Sequence, residues 1–186
     1  NDTLTIGANT VLTSTSSGDV VFASTVDGGF DLTVNTAGIT KFLGSVGTTA
    51  ELTSLTTDAA GSTQINGGIV NTSGAQTYND PVTLGANAVL TSSGNANITF
   101  GSTLNDDGTA GNANLTVNTG GNTVFTGAVG GIAQLTSLTT DAGGTTQIFG
   151  GSVATTGDQT FNDAVVVFAD TTFSSSAVGN ITFVST

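Results

Sequence analysis

Three sets of side chains in this sequence have the types and spacing to do chemistry. They are the adjacent carboxylates Asp106 and Asp107, the lone cation Lys41, and the aspartates Asp58 and Asp141 that close two identical copies of LTSLTTD, at 52–58 and 135–141. Adjacent acids can divide the roles of proton donor and acceptor, as in enzymes that cut polysaccharides. They can also offer the hard oxygen ligands that calcium requires. Neither an EF-hand loop nor a G-G-x-G-x-D nonapeptide is present, so calcium at Asp106 or Asp107 is the one metal expectation the sequence carries. No other cofactor is expected.

Composition narrows the chemistry further. The 186 residues contain one basic side chain, thirteen acidic ones, and no arginine, histidine, cysteine, methionine or tryptophan. General acid–base catalysis near neutral pH draws mostly on His, Glu, Asp, Lys, Tyr and Cys. Sugar-cleaving solenoids with anionic substrates also surround them with basic groups, so the expectation is that the chain is not an enzyme and has no catalytic residue. A net charge of -12 repels phosphate backbones and anionic lipid surfaces. Nucleic acid is therefore an unexpected partner, and no apolar run is long enough for a transmembrane helix. The start at Asn1-Asp2 without methionine is the expected mark of a mature product or a fragment.

The elements that must position these residues follow from an internal repeat. Residues 32–78 align with 115–161 without a gap, at 31 identities in 47 positions. The wider frame gives blocks at 1–78 and 79–161 and a partial block at 162–186, all within one continuous domain over 1–186. Inside each block a tetrapeptide recurs, as in LTIG (4), LTVN (32), LTTD (55), VTLG (82) and LTVN (115), closing on Gly, Asn or Asp. Its alternation puts the first and third residues on one side. Thr, Val, Ile and Phe favour strands, while helix formers are scarce. The spacing predicts an all-β parallel β-helix, a β-solenoid, of about nine to ten rungs of roughly 20 residues, four rungs to a block.

The closing Gly, Asn or Asp, Asp58 and Asp141 included, is expected to turn a corner through left-handed backbone. Lys41 shares the middle of a T-x-F/I strand with Gln64, Val124 and Gln147, so it is expected in solvent. The matched aromatics, Phe22 with Phe100 and Phe183, Phe42 with Phe125, and Tyr78 with Phe161, are expected in the core. Outward threonines evoke ice-binding solenoids, although Thr-x-Thr is not present in every rung.

The phrases GANAVLTSSGNANITF, LTVNTGGNTVFTGAVGG and LTTDAGGTTQIFGGSV make the whole chain resemble the repeat regions of bacterial surface proteins of the filamentous-haemagglutinin and autotransporter-adhesin type. The resemblance implies a right-handed helix and an extracellular or cell-surface location. It further implies a structural or adhesive role as stalk or filament subunit in adhesion, aggregation or matrix. Implied partners are further copies, stacked end to end or laterally, neighbouring repeats of a longer chain, or host glycans and proteins. The competing expectation is a carbohydrate-binding or carbohydrate-active β-helix.

Overall fold

The computed structural model describes residues 2–109 and 113–184. Strands form wherever apolar or threonine side chains alternate with polar ones. In Asp31–Thr36, for example, Leu32, Val34 and Thr36 point inward while Asp31, Thr33 and Asn35 face out. Every strand pairing is parallel, and no helix occurs among the described residues. Thr10 pairs with Leu32, Leu32 with Leu55 and Leu55 with Gln76, so one turn takes about 22 residues.

Each turn crosses three faces. Face I runs from Thr10–Ser14 through eight strands to Ala164–Val167. Face II starts at Val20–Phe22 and ends at Thr172–Ser175, joined across its middle by a one-residue bridge at Val129. Face III starts at Leu4–Thr5 and ends at Ile181–Phe183, with a matching bridge at Val46. Because like residues stack in register, the interior fills with columns. Tyr78, Phe100 and Phe125 stack with ring centroids 5.5 and 5.3 Å apart, and Phe22 lies on Phe42 at 4.9 Å. The matched aromatics are thus core residues, except that Phe183 remains half exposed on the last strand.

The parallel solenoid stands as expected, with eight turns of about 22 residues in place of nine or ten of 20. The difference has a physical cause. The recurring tetrapeptide is a strand, and strands of this kind serve all three faces: VVFA at 20 lies on face II, LTVN at 32 on face I, and LTVN at 115 on face III. Only the interval from LTVN to LTTD is one turn. The 83-residue repeat accordingly spans eleven strand positions, or three and two-thirds turns, and its second copy is rotated about the axis by one face.

The corner expectation needs correction too. None of the closing residues Gly7, Asn35, Asp58, Gly85, Gly101, Asn118 and Asp141 has positive φ. Left-handed backbone sits elsewhere, at Gly61 (φ 76°) and its repeat Gly144 (φ 69°) among others. There the close approach of the turn below leaves no room, since a Cβ would fall 2.0 Å from the Gly38 carbonyl oxygen and 1.6 Å from that of Gly121. Gly61→Ala or Gly144→Ala is expected to cost at least about 2 kcal/mol in a denaturant titration. Gly7→Ala, with open space at its Cβ, should leave the midpoint unchanged.

Candidate functional site

Asp106 and Asp107 follow one another at the end of the strand Leu104–Asp106, and their surroundings differ. Asp106 is buried, and its two oxygens accept the backbone N–H groups of Gly108 (2.8 Å) and Ala113 (2.6 Å). Asp107 is exposed and accepts the hydroxyl and N–H of Thr109, which hold its carboxyl below the usual range. Both acids therefore brace the backbone next to the strand, Asp107 at Thr109 and Asp106 at Gly108 and Ala113. Among the described residues no three acidic side chains gather as a metal would need. Lys41 lies outward as expected, bonded to Asp19 at 2.7 Å across one turn. This pair is exposed, and such a pair adds little stability.

Asp58 and Asp141 act between turns. Their Oδ1 atoms accept the N–H of Thr36 (3.0 Å) and Thr119 (3.1 Å), each at the end of the strand one turn below. They sit beside a deeper arrangement that composition and spacing did not single out. Asp80 is 1% exposed and Asp163 2%, and each sits at a corner. Thr57 and Thr63, flanking the same corner one turn earlier, donate their hydroxyls to Asp80 at 2.8 and 2.9 Å. Thr140 and Thr146 do the same for Asp163 at 2.7 and 2.9 Å. The preceding Asn79 and Asn162 donate to the carbonyls of Thr57 and Thr140, both at 2.7 Å. The first box straddles faces I and II, the second faces III and I, one face round. The available signal was the repeated Asn-Asp pair at 79–80 and 162–163, which reads as an ordinary turn until the threonines of the turn below are in place.

Burial pushes the carboxyls of Asp80 and Asp163 up; their threonine hydrogen bonds act the other way, and Asp58 and Asp141 add repulsion. The folded chain holds these two protons more tightly than the unfolded chain. The resulting stability is complete below the ordinary carboxylate range and is lost as pH rises through the raised values. Asp19 and Asp107 are held low and pull in the opposite sense, but both are exposed. Denaturation midpoints are therefore expected to climb as pH falls through the raised values toward the ordinary carboxylate range near about 4. Combining Asp80→Asn with Asp163→Asn should flatten that climb.

A second repeated feature shows what one oxygen atom decides. Gln76, fully buried, donates through Nε2 to the carbonyls of Val70 and Thr91, and its Oε1 accepts the hydroxyl of Tyr78 at 3.1 Å. Gln159 repeats the donations, to Val153 and Ser174, but Phe161 stands where Tyr78 stood. The Oε1 of Gln159 is left buried without a partner. An unmade buried hydrogen bond costs about 1–3 kcal/mol. Tyr78→Phe should lower stability within that range, and Phe161→Tyr should raise it by about 1 kcal/mol, read from the shift in urea midpoint.

Outward rows complete the surface. Thr33, Thr56, Thr77 and Thr99 stack on face I, and their repeats Thr116, Thr139, Thr160 and Thr182 stack on face III. On face I the row passes to Val124 and Gln147 above Thr99. Phe149 and Phe168 form an outward stack at 4.4 Å. No family model, curated protein or solved structure matches the chain.

Proposed function

We propose that this chain is a structural and adhesive segment of a secreted or surface-anchored bacterial protein of the filamentous-haemagglutinin and autotransporter-adhesin type. It acts extracellularly as a stalk or filament subunit in adhesion, aggregation or matrix. One observation carries the proposal: the most deeply buried carboxylates, Asp80 and Asp163, are both spent on hydroxyls of the preceding turn. Their chemistry goes into joining layers. The neutral Thr, Ser and Asn exterior and the net charge of -12 also suit a solvated spacer that resists nonspecific association.

Fused to an outer-membrane anchor on a non-adherent bacterium, the chain is expected to raise cell–cell aggregation or attachment to a surface above the anchor alone. Equal values in both assays would overturn the adhesive role. The outward Phe149–Phe168 stack favours the second reading, a carbohydrate-binding face. A glycan array settles between them: sugar binding that disappears in Phe149→Ala replaces the stalk reading, and an empty array upholds it.

A further inference from the structure

One peptide bond in the chain joins an acid-labile pair of residues inside a built environment. Asp80 precedes Pro81, the only proline. An aspartyl carboxyl lies one five-membered ring away from its own main-chain carbonyl, and the tertiary nitrogen of proline leaves readily once protonated. Asp80 is 1% exposed, and its carboxyl is held from several sides. Thr57 donates its hydroxyl to Oδ1 at 2.8 Å, and the Thr63 hydroxyl lies 2.9 Å from both oxygens. The N–H of Asp80 itself also faces the carboxyl, so the side chain is folded back on its own main chain. The flanking residues are clamped too. Asn79 donates through Nδ2 to the Thr57 carbonyl at 2.7 Å, and the Pro81 carbonyl accepts the N–H of Thr63 at 2.9 Å. Asn79 is exposed and Pro81 half-buried, so water reaches this corner from outside. The ionisable groups facing Asp80 are Asp58, whose charge repels it, and Tyr78, a buried phenol that stays neutral. The one basic side chain, Lys41, is committed to Asp19. Burial therefore keeps Asp80 in its acid form at a pH where an exposed aspartate has lost most of its protons.

We infer that the bond between Asp80 and Pro81 is a self-cleavage site, at which the Asp80 carboxyl cuts its own peptide bond inside the folded solenoid. The carboxyl hands its proton to the Pro81 nitrogen as one of its oxygens adds to the Asp80 main-chain carbonyl carbon. The C–N bond then breaks with its electron pair on nitrogen, leaving a five-membered cyclic anhydride on Asp80 and a secondary amine on Pro81. One water opens the anhydride to two carboxyls, so the net change is hydrolysis of one peptide bond with no other reactant. The hydroxyls of Thr57 and Thr63 can donate or accept, and so remain bonded as the proton leaves. They act as positioning residues. The second repeat carries the same box without the labile bond. Thr140 and Thr146 hold Asp163 at 2.7, 2.9 and 2.8 Å, but Ala164 follows it, and a secondary amide offers a poorer leaving group. Cleavage leaves the wall standing. Gln76–Tyr78 stays paired with Ser54–Thr57 and Ile98–Phe100, and Val82–Leu84 with Ser62–Ile65 and Leu104–Asp106; none of these pairings includes the cut bond. The rod keeps its shape and loses covalent continuity at one fixed corner.

The test holds the full chain folded at about pH 4.5, where an exposed aspartate is mostly ionised, and samples it on denaturing gels and by mass spectrometry. Fragments 1–80 and 81–186 are expected. They should form at least about tenfold faster than from the same chain unfolded in guanidinium at the same pH. Cutting no faster in the folded chain overturns the inference, since ordinary acid lability then accounts for it. Pro81→Ala should abolish the cut, and a fragment boundary that persists after Asp80 overturns the role of the proline nitrogen. Ala164→Pro gives the second box the same bond and should add a cut after Asp163. Its absence in a chain that keeps the β-sheet circular dichroism overturns the role of the box. Thr63→Val separates positioning from stability: it should slow cleavage of the folded chain and leave the unfolded rate unchanged, and an unchanged folded rate overturns that positioning.

Discussion

The structure depends on one constraint: a parallel strand laid in register on its neighbour sets each residue about 4.8 Å above its counterpart. Like meets like in every column, so a residue is acceptable only if it tolerates its own kind above and below. Leucine, valine and phenylalanine do so by packing, and threonine does so in either direction. A column of like charges would not, and the inward positions accordingly carry almost none. Asp80 and Asp163 enter the wall at corners, where two threonines of the layer below complete each carboxylate.

The same constraint decided what the sequence made legible. Alternation in LTVN and SLTT shows which side chains face in, and burial follows it residue by residue. The 83-residue repeat, the outward Lys41 and the core aromatics could likewise be read directly. What could not be read was the face on which a strand lies. Inward Leu-x-Val is equally at home on all three faces, so turn length is written only in the distance between strands that stack, such as Leu32 and Leu55. Asp80 escaped notice for a related reason. Its partners Thr57 and Thr63 are distant in sequence, and Asn-Asp before proline looks like a surface turn.

The two repeats also act as a natural substitution experiment at fixed geometry. Tyr78 and Phe161 occupy equivalent places around equivalent glutamines, and the loss of one hydroxyl strands a carbonyl oxygen. Asp27 and Asn105 make the opposite point. Each accepts two backbone N–H groups from the loop of the next turn, at 2.8 and 3.3 Å for Asp27 and 2.9 and 3.4 Å for Asn105, so charge is dispensable where an oxygen suffices.

The mismatch between repeat and turn has a consequence for how such a chain can change length. If the repeat were a whole number of turns, only duplications of that size would keep strands in phase. Here the grammatical unit is the single strand with its corner, and eleven strands form a legal sentence although they close no circle. Duplication of those eleven strands leaves a buildable wall, so a rod of this kind can lengthen by a fraction of a turn as well as by whole turns.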